Sequence, residues 1–431
     1  MQYYSTNNRN ISFSLKDAVL KGIAPDKGLF MPQNIPVLTR SELEYLRKCN
    51  LTEIGILISE KLFGEDIPAN VLAELVTEAI NFDTPLIRIE ENLYALELFH
   101  GPTLAFKDVG ARFMARMLSY FTKEMEQMVH VLVATSGDTG SAVANGFLDV
   151  EGIHVHVLYP SGMVSPLQEK QFTTLGRNIT ALEVDGTFDD CQLLVKEAFL
   201  DNALSGELIL TSANSINLAR FLPQSFYYFR AWNQVESDDI FFSVPSGNYG
   251  NLTAGLVARE MGLTVHTFLS ANNINDIVPV YLKTGEFVPR PSVTTIANAM
   301  DVGNPSNFTR ILDLFNGQHE RLTSHIEGFT FTDEEIRNII SKVFQKTGYV
   351  CDPHGATGYQ AAKTYMKSHK NATGIFLETA HPAKFLETVQ PLIGHPCRIP
   401  ERLAAFSKRE KQSIEISRDF QDFREYLLNL N

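Results

Sequence analysis

The sequence predicts an α/β protein built on two doubly wound parallel sheets and led by a mostly helical N-terminal region. Three observations carry this reading. From residue 129 onward, short apolar runs alternate with helical stretches, as βαβ units around a parallel sheet require. The first 95 residues instead carry helix start and stop signals. The 431 residues are 44% hydrophobic and 20% charged, enough chain and enough apolar surface for two or three domains.

Taken in order, Ser41 followed by Glu44 reads as a capping box that opens a helix, and 51–63 is apolar-periodic up to a stop at Gly64. Pro68 opens a third helix. Pro85 and the runs 86–89 and 94–99 then read as paired strands. Val109, Phe113, Met117 and Phe121 recur every four residues, so a helix with one apolar stripe begins at Lys107. Strand runs follow at 129–135, 153–159, 179–184, 208–211, 240–244, 264–269 and 374–377. Thr332 with Glu335 makes a capping box, and Gly348 ends that helix. No internal repeat and no low-complexity run marks a linker. Topology therefore suggests the limits: an N-terminal region over 1–95, a smaller α/β domain over 96–215 and a larger one over 216–431.

A net charge of -13 excludes a broad surface for nucleic acid or anionic membrane, so an anionic ligand must be met by local groups. Cys49, Cys191, Cys351 and Cys397 form no CxxC pair. Neither a zinc site nor a disulfide framework is indicated, and no metal is expected. The first ten residues lack the apolar stretch of a signal peptide, and no run approaches membrane-span length. A cytoplasmic protein is expected.

Ligands of such sheets lie beyond the C-terminal strand ends, so the turns after strands carry the candidate chemistry. Lys107 follows the turn in His100-Gly101-Pro102-Thr103-Leu104-Ala105-Phe106-Lys107-Asp108. A partly desolvated lysine on a rigid helix start forms Schiff bases or moves protons, whereas a solvated one is an ordinary helix opening. Thr135-Ser136-Gly137-Asp138-Thr139-Gly140-Ser141 can gather amides and hydroxyls on an anion or serve as plain structure. Pro245-Ser246-Gly247-Asn248-Tyr249-Gly250-Asn251 suits a phosphate at a helix N-terminus. It has neither GxGxxG nor a P-loop lysine, which points to a cofactor smaller than a dinucleotide. Asn214, Ser215 and Arg220 form a third group, either an anion clamp or a helix cap with a solvated arginine. Thr379 could offer its hydroxyl to a ring nitrogen, or cap a turn. His354 and His381 read as structural, because no acid is paired with either by sequence.

A helix lysine, a phosphate loop and a strand-end hydroxyl are the parts that hold pyridoxal phosphate. The five segments, together with the leader Gly22-Ile23-Ala24-Pro25-Asp26-Lys27-Gly28-Leu29-Phe30-Met31-Pro32, resemble the bacterial-type threonine synthases among the fold-type II pyridoxal-phosphate enzymes, essentially end to end. The resemblance implies two sheet domains around a cofactor cleft. It implies conversion of O-phospho-L-homoserine and water into L-threonine and phosphate by γ-elimination and β-addition of water. By the same resemblance Lys107 is catalytic and holds the cofactor. Phe106, Asp138, Gly247, Asn248, Tyr249, Gly250, Asn251 and Thr379 contact the cofactor, and Ser136, Thr139, Asn214, Ser215 and Arg220 bind substrate. Many fold-type II relatives have Asn where this chain has Asp138, and an ionised carboxylate there needs its charge answered elsewhere. A small-molecule substrate, neither nucleic acid nor membrane, and a monomer or homodimer are expected. A serine or threonine dehydratase is the rival enzyme. A descendant that binds cofactor without turnover is the non-enzyme alternative.

Overall fold

The computed structural model describes residues 1–430. Its strands in chain order are β1 (Tyr3–Ser5), β2 (Asn8–Phe13), β3 (Phe30–Pro32), β4 (Leu86–Glu90), β5 (Leu93–Glu97), β6 (Val129–Ala134) and β7 (Ile153–Pro160). Then come β8 (Ile179–Asp185), β9 (Ile209–Ser212), β10 (Ile240–Pro245), β11 (Thr267–Asn272), β12 (Ile326–Thr330), β13 (Thr373–Glu378) and β14 (Ile414–Ser417). The chain forms two compact units: one from Met31–Phe106 and Phe221–Arg398, with Met1, the other from Gln2–Phe30, Lys107–Arg220 and 399 onward. The units interleave along the chain, so 1–95, 96–215 and 216–431 describe stretches of sequence rather than these units.

The first unit holds a six-stranded sheet in the order β12-β11-β10-β13-β5-β4. Only β4 runs antiparallel, against β5; the other pairs are parallel. The helices Asp333–Thr347 and Pro353–Tyr365 bury Ile336, Ile340, Val343, Ala361 and Ala362 with Phe241 and Phe376 of the sheet. The first of these helices has the expected Thr332/Glu335 box and ends at Gly348 with φ 73°, a left-handed stop that suits glycine.

The second unit holds a parallel sheet in the order β14-β8-β7-β6-β9. Residues after 399 join it because β14 pairs with β8, Ile414 opposite Leu182. The helix Phe420–Leu428 then buries Phe423 and Leu427 beside Leu194 and Cys191. Two fully buried side chains of that size contribute about 1.5–3 kcal/mol each, enough to fix a terminal helix.

In each sheet the connections reverse direction at one pair of neighbours: β10/β13 in the first unit, β6/β9 in the second. These are the switch points at which a doubly wound sheet opens a crevice. All four candidate turns sit on them, after β6, β9, β10 and β13.

Several expectations are corrected. The capping box belongs to Thr39 and Glu42, not Ser41 and Glu44, and opens the helix Arg40–Leu46. Arg40 is already helical, since its Nε reaches Glu44 Oε1 four residues on at 2.9 Å. The leader starts with the antiparallel pair β1/β2 rather than a helix. The run at 264–269 becomes a strand only from Thr267, and β12 and β14 are strands that periodicity does not reveal.

Candidate active site

Lys107 opens the helix Lys107–Thr122, whose Val109, Phe113 and Met117 are fully buried. The residues that lead into it are held on both sides. Leu104 takes φ 61°, and its N–H donates to Gly101 O at 3.1 Å. Phe106 N–H donates to Thr379 O at 2.8 Å, and Phe106 O accepts from the Tyr227 hydroxyl at 2.6 Å. Ala105 bridges Ala380, and the buried Lys384 donates from Nζ to Thr103 O at 2.9 Å. Lys107, half-buried, is the next residue in the chain. Neither Tyr227 nor Lys384 is read as a support from sequence: Tyr227 lies in no motif, and Lys384, although within the 379–385 segment that carries the resemblance, gives no local sign that it reaches Thr103.

The turn after β6 closes on its own side chain. The Thr135 hydroxyl accepts from Gly137 N at 2.9 Å and Gly140 N at 2.7 Å. Gly137 has φ 134°, which favours glycine, and a Cβ there would lie 2.9 Å from the Gln168 carboxamide. That carboxamide donates to Asp138 Oδ1 at 2.8 Å. Asp138, 4% exposed, is also the first residue of the helix Asp138–Phe147, where the helix dipole favours a carboxylate. Its charge is thus answered within the chain. Ser136 and Thr139 remain half-buried at the turn's edge.

The turn after β9 is tied to this one. The Asn214 amide donates to Ala134 O at 2.9 Å and accepts from Ala134 N at 3.2 Å, locking β9's end to β6's. Ser215 is half-buried. Arg220 is 2% exposed, and its Nη1 donates to Ala213 O. The solvated-arginine alternative is excluded by this burial.

In the first unit, the side chains of the turn after β10 bond mostly to carbonyls and to other segments, with Leu252 N–H donating to one of them, Asn251 Oδ1, at 3.0 Å. Ser246 Oγ donates to Val244 O at 2.9 Å and Asn251 Nδ2 to Pro245 O at 2.7 Å. Asn248 Oδ1 accepts from Ser306 N at 2.6 Å. Tyr249, with φ 64°, sends its hydroxyl to Ser270 and Asn272 at 2.8 and 3.0 Å and caps nothing in the helix Gly250–Glu260. At Gly247 a Cβ would sit 2.6 Å from Ala299 O and 2.8 Å from Met300 Cα, so only glycine allows this approach of two backbones. Beside it β10 and β13 pair in parallel, Ser243 opposite Phe376, so Thr379, 6% exposed, emerges at the same edge.

His381 Nδ1 accepts from Ala383 N at 3.1 Å and so caps the turn Pro382–Phe385. His354 differs from expectation: an acid partner is present two residues upstream, with Asp352 Oδ1 2.6 Å from Nδ1. The turn that caps the helix Pro353–Tyr365 folds the two together. Among the described residues no group of three or more His, Cys, Asp or Glu is arranged to hold a metal ion.

Comparison with known proteins converges on the same elements. The family described as pyridoxal-phosphate dependent enzyme matches residues 78–376; threonine synthase N terminus and threonine synthase C-terminal match 2–80 and 355–427. Threonine synthase of Haemophilus influenzae is 44% identical over 99% of this chain and 100% of its own length. The crystal structure of threonine synthase from Escherichia coli superposes with a TM-score of 0.94 at 40% identity, covering 100% of both chains. That of PLP-bound threonine synthase from Brucella melitensis does so at 0.93 and 34%, over 100% of this chain and 99% of that one. With a helix-start lysine, two switch-point crevices and full-length similarity of this kind, the chain belongs to the threonine synthase family of fold-type II pyridoxal-phosphate-dependent enzymes.

Proposed function

We propose that the chain converts O-phospho-L-homoserine and water into L-threonine and phosphate, using Lys107 as the residue that holds pyridoxal 5'-phosphate and moves protons. The observation that carries the assignment is the pinning of Phe106, the residue before Lys107, through its N–H to Thr379 O and its C=O to the Tyr227 hydroxyl. The residues fit the cofactor. Gly247 keeps the turn after β10 free of a Cβ, and the helix Gly250–Glu260 starts without a cap from Tyr249, which leaves the amides of Gly250 and Asn251, ahead of the Leu252 amide held by Asn251 Oδ1, for a phosphate. Gly247, Asn248, Tyr249, Gly250 and Asn251 form that cradle. Thr379 offers a neutral hydroxyl to the pyridine nitrogen, a weaker hold on a proton than a carboxylate has. Phe106 and Asp138 complete the set, with Gln168 answering Asp138.

Bound pyridoxal phosphate supplies the electron withdrawal that lets protons leave carbon next to the substrate's amine and phosphate leave its γ carbon. Lys107 alternates as base and acid at the α and β carbons. Arg220 is the principal cation for the substrate phosphate, joined by hydroxyls of Ser136, Thr139 and Ser215, while Asn214 braces the turn on Ala134. The 96–215 stretch thus carries the lysine helix and the hydroxyl turns. The 216–431 stretch carries the phosphate cradle, and 1–95 is the leader. We read the protein as cytoplasmic, monomeric or homodimeric, with a small-molecule substrate and neither nucleic acid nor membrane as partner; among the described residues no helix is long and apolar enough to cross a membrane.

Two measurements test this. Incubation with O-phosphohomoserine should release phosphate and threonine in equal amounts; turnover of serine or threonine to an oxoacid, with no reaction on the phosphorylated substrate, would mean a dehydratase. Borohydride reduction of the loaded enzyme followed by peptide mapping should find the pyridoxyl group on Lys107, and a label on another lysine would refute the assignment.

A further inference from the structure

Three buried polar residues outside the cradle form a continuous line behind it. Glu378, the last residue of β13, is fully buried and immediately precedes Thr379. Its Oε2 accepts from Asp352 N at 3.2 Å. A Cβ at residue 355 would lie 2.2 Å from the Glu378 carboxyl, so Gly355 is what admits this group. Burial, with the Asp352 carboxyl close by, pushes the Glu378 pKa well above the usual carboxylate range.

Asp352 continues the line. It is fully buried, caps the helix Pro353–Tyr365 through His354 N and Gly355 N, and meets His354 Nδ1 at 2.6 Å. On the far side of the ring, Nε2 accepts from Ala299 N at 3.2 Å. An accepting Nε2 carries a lone pair, so the proton of the neutral imidazole sits on Nδ1 and is donated to Asp352. Ala299 lies in the short Asn298–Met300 turn. The same turn touches Gly247 closely enough that a Cβ there would strike Ala299 O.

We propose that Glu378, Asp352 and His354 are positioning residues that hold the Asn298–Met300 turn against Gly247 and so set the phosphate cradle in register with the strand end carrying Thr379. The inference rests on the reading of the 247–251 turn as the cofactor-phosphate cradle. An imidazole that both donates and accepts in one fixed tautomer transmits position from strand end to loop without touching the cofactor.

The test is the affinity of the stripped protein for pyridoxal phosphate, titrated by absorbance, alongside the melting temperature of the cofactor-free protein. His354→Leu leaves the half-buried Ala299 N–H without its acceptor and should weaken cofactor affinity about tenfold or more. His354→Gln keeps an acceptor near the Nε2 position and should stay within about threefold of wild type. Asp352→Asn preserves the helix cap, weakens the bond to the imidazole and should cost an intermediate factor. Gly247→Ala serves as the control on the cradle. If Gly247→Ala loses affinity while His354→Leu binds as wild type does, the positioning role is overturned and the cradle stands. If Gly247→Ala binds normally, the cradle reading falls and takes the inference with it. A fall in the cofactor-free melting temperature of His354→Leu that matches the fall with cofactor would show a purely structural histidine. Should His354→Leu fail to fold, wild-type affinity in Asp352→Asn overturns the proposal.

Discussion

At the β6/β9 switch point the Thr135 hydroxyl takes the Gly137 and Gly140 amides, and the Asn214 amide takes Ala134, so the turns spend their backbone donors on themselves. At the β10/β13 switch point the side chains of Ser246, Asn248 and Tyr249 bond elsewhere, Asn251 Oδ1 takes Leu252 N–H at 3.0 Å, and the helix beyond starts without a cap from Tyr249. Both crevices come from the same sheet topology and similar small-residue turns. The difference lies in which polar groups are left for a ligand. A self-capped turn offers side-chain hydroxyls and a cation, which suits recognition of a group that comes and goes. A helix start whose N-cap residue, Tyr249, takes no amide offers the amides ahead of Leu252 and a dipole, which suits a phosphate that stays bound.

This contrast breaks first at Arg220. As the buried cation of the self-capped side, it should be needed for substrate and dispensable for cofactor. Truncating one partner of a desolvated charge pair costs about 2–5 kcal/mol, so Arg220→Ala should lower kcat/KM for O-phosphohomoserine by roughly thirtyfold or more. Cofactor absorbance after dialysis should be unchanged. Near-normal efficiency would remove Arg220 from the site.

The reverse pattern is expected at Gly247. An alanine Cβ would meet Ala299 O at 2.6 Å, a contact that moves backbone rather than a flexible side chain. Cofactor affinity should fall by about tenfold, as when one buried hydrogen-bonding group is displaced, while the melting temperature of the cofactor-free protein holds. Full cofactor retention on dialysis would show that the amides of this turn do not bind the phosphate.

How much of this was legible follows from what each residue's partner is. The helix that Lys107 opens was legible because it declares itself through Val109, Phe113 and Met117, partners within its own segment. The turns after β6 and β10 were legible as Gly and Ser clusters following apolar runs. Asn214 read as a ligand group, yet its amide is bound to Ala134, eighty residues upstream in sequence, and no local pattern reports that. Asp352 and His354 were adjacent in plain view, but their pairing depends on a cap geometry that places residues i and i+2 together. The strands β12 and β14 were missed because each is a partly exposed edge with charged or polar residues between apolar ones. The attachment of the C-terminal residues to the second unit depends on a parallel pairing with β8, a non-local contact. At Thr39 and Ser41 two capping boxes overlap in sequence, and only one residue can take the extended N-cap backbone.

Thr135 sharpens the contrast from the stability side. Thr135→Val keeps shape and removes the acceptor for two buried amides, and leaving a buried donor unsatisfied costs about 1–3 kcal/mol. The melting temperature should drop accordingly, and kcat should fall through misplaced Ser136 and Thr139, with a loss of cofactor affinity through Asp138 that is smaller than that of Gly247→Ala. If cofactor affinity falls as far as it does in Gly247→Ala, the two turns do not divide the work as described.

The smallest expected effect is on pH dependence, and it also belongs to the unit of the self-capped turns. His130 on β6 and His154 and His156 on β7 stack with ring centroids 4.7 to 6.3 Å apart. His130 Nδ1 meets His156 Nε2 at 3.1 Å, His156 Nδ1 meets the Tyr426 hydroxyl at 2.9 Å, and His154 Nε2 meets Thr180 Oγ1 at 2.9 Å. Burial, reinforced by the neighbouring His154, pushes His130 down to about 4; burial lowers His154 and His156 as well. A histidine whose folded pKa lies below its unfolded value of 6.5 stays neutral while the unfolded chain takes up a proton. Stability is therefore full above about pH 6.5 and declines as pH falls toward about 4, with His130 alone costing about 1 kcal/mol near pH 5.5. A melting temperature measured across this window should decline by roughly a few degrees. His130→Gln keeps a hydrogen-bonding group against His156 without the titration, so its slope should be shallower than that of wild type. A wild-type melting temperature that stays flat from pH 7 to 4.5 would show that the three rings accept protons in the fold, and the second unit would then hold no special sensitivity to acid.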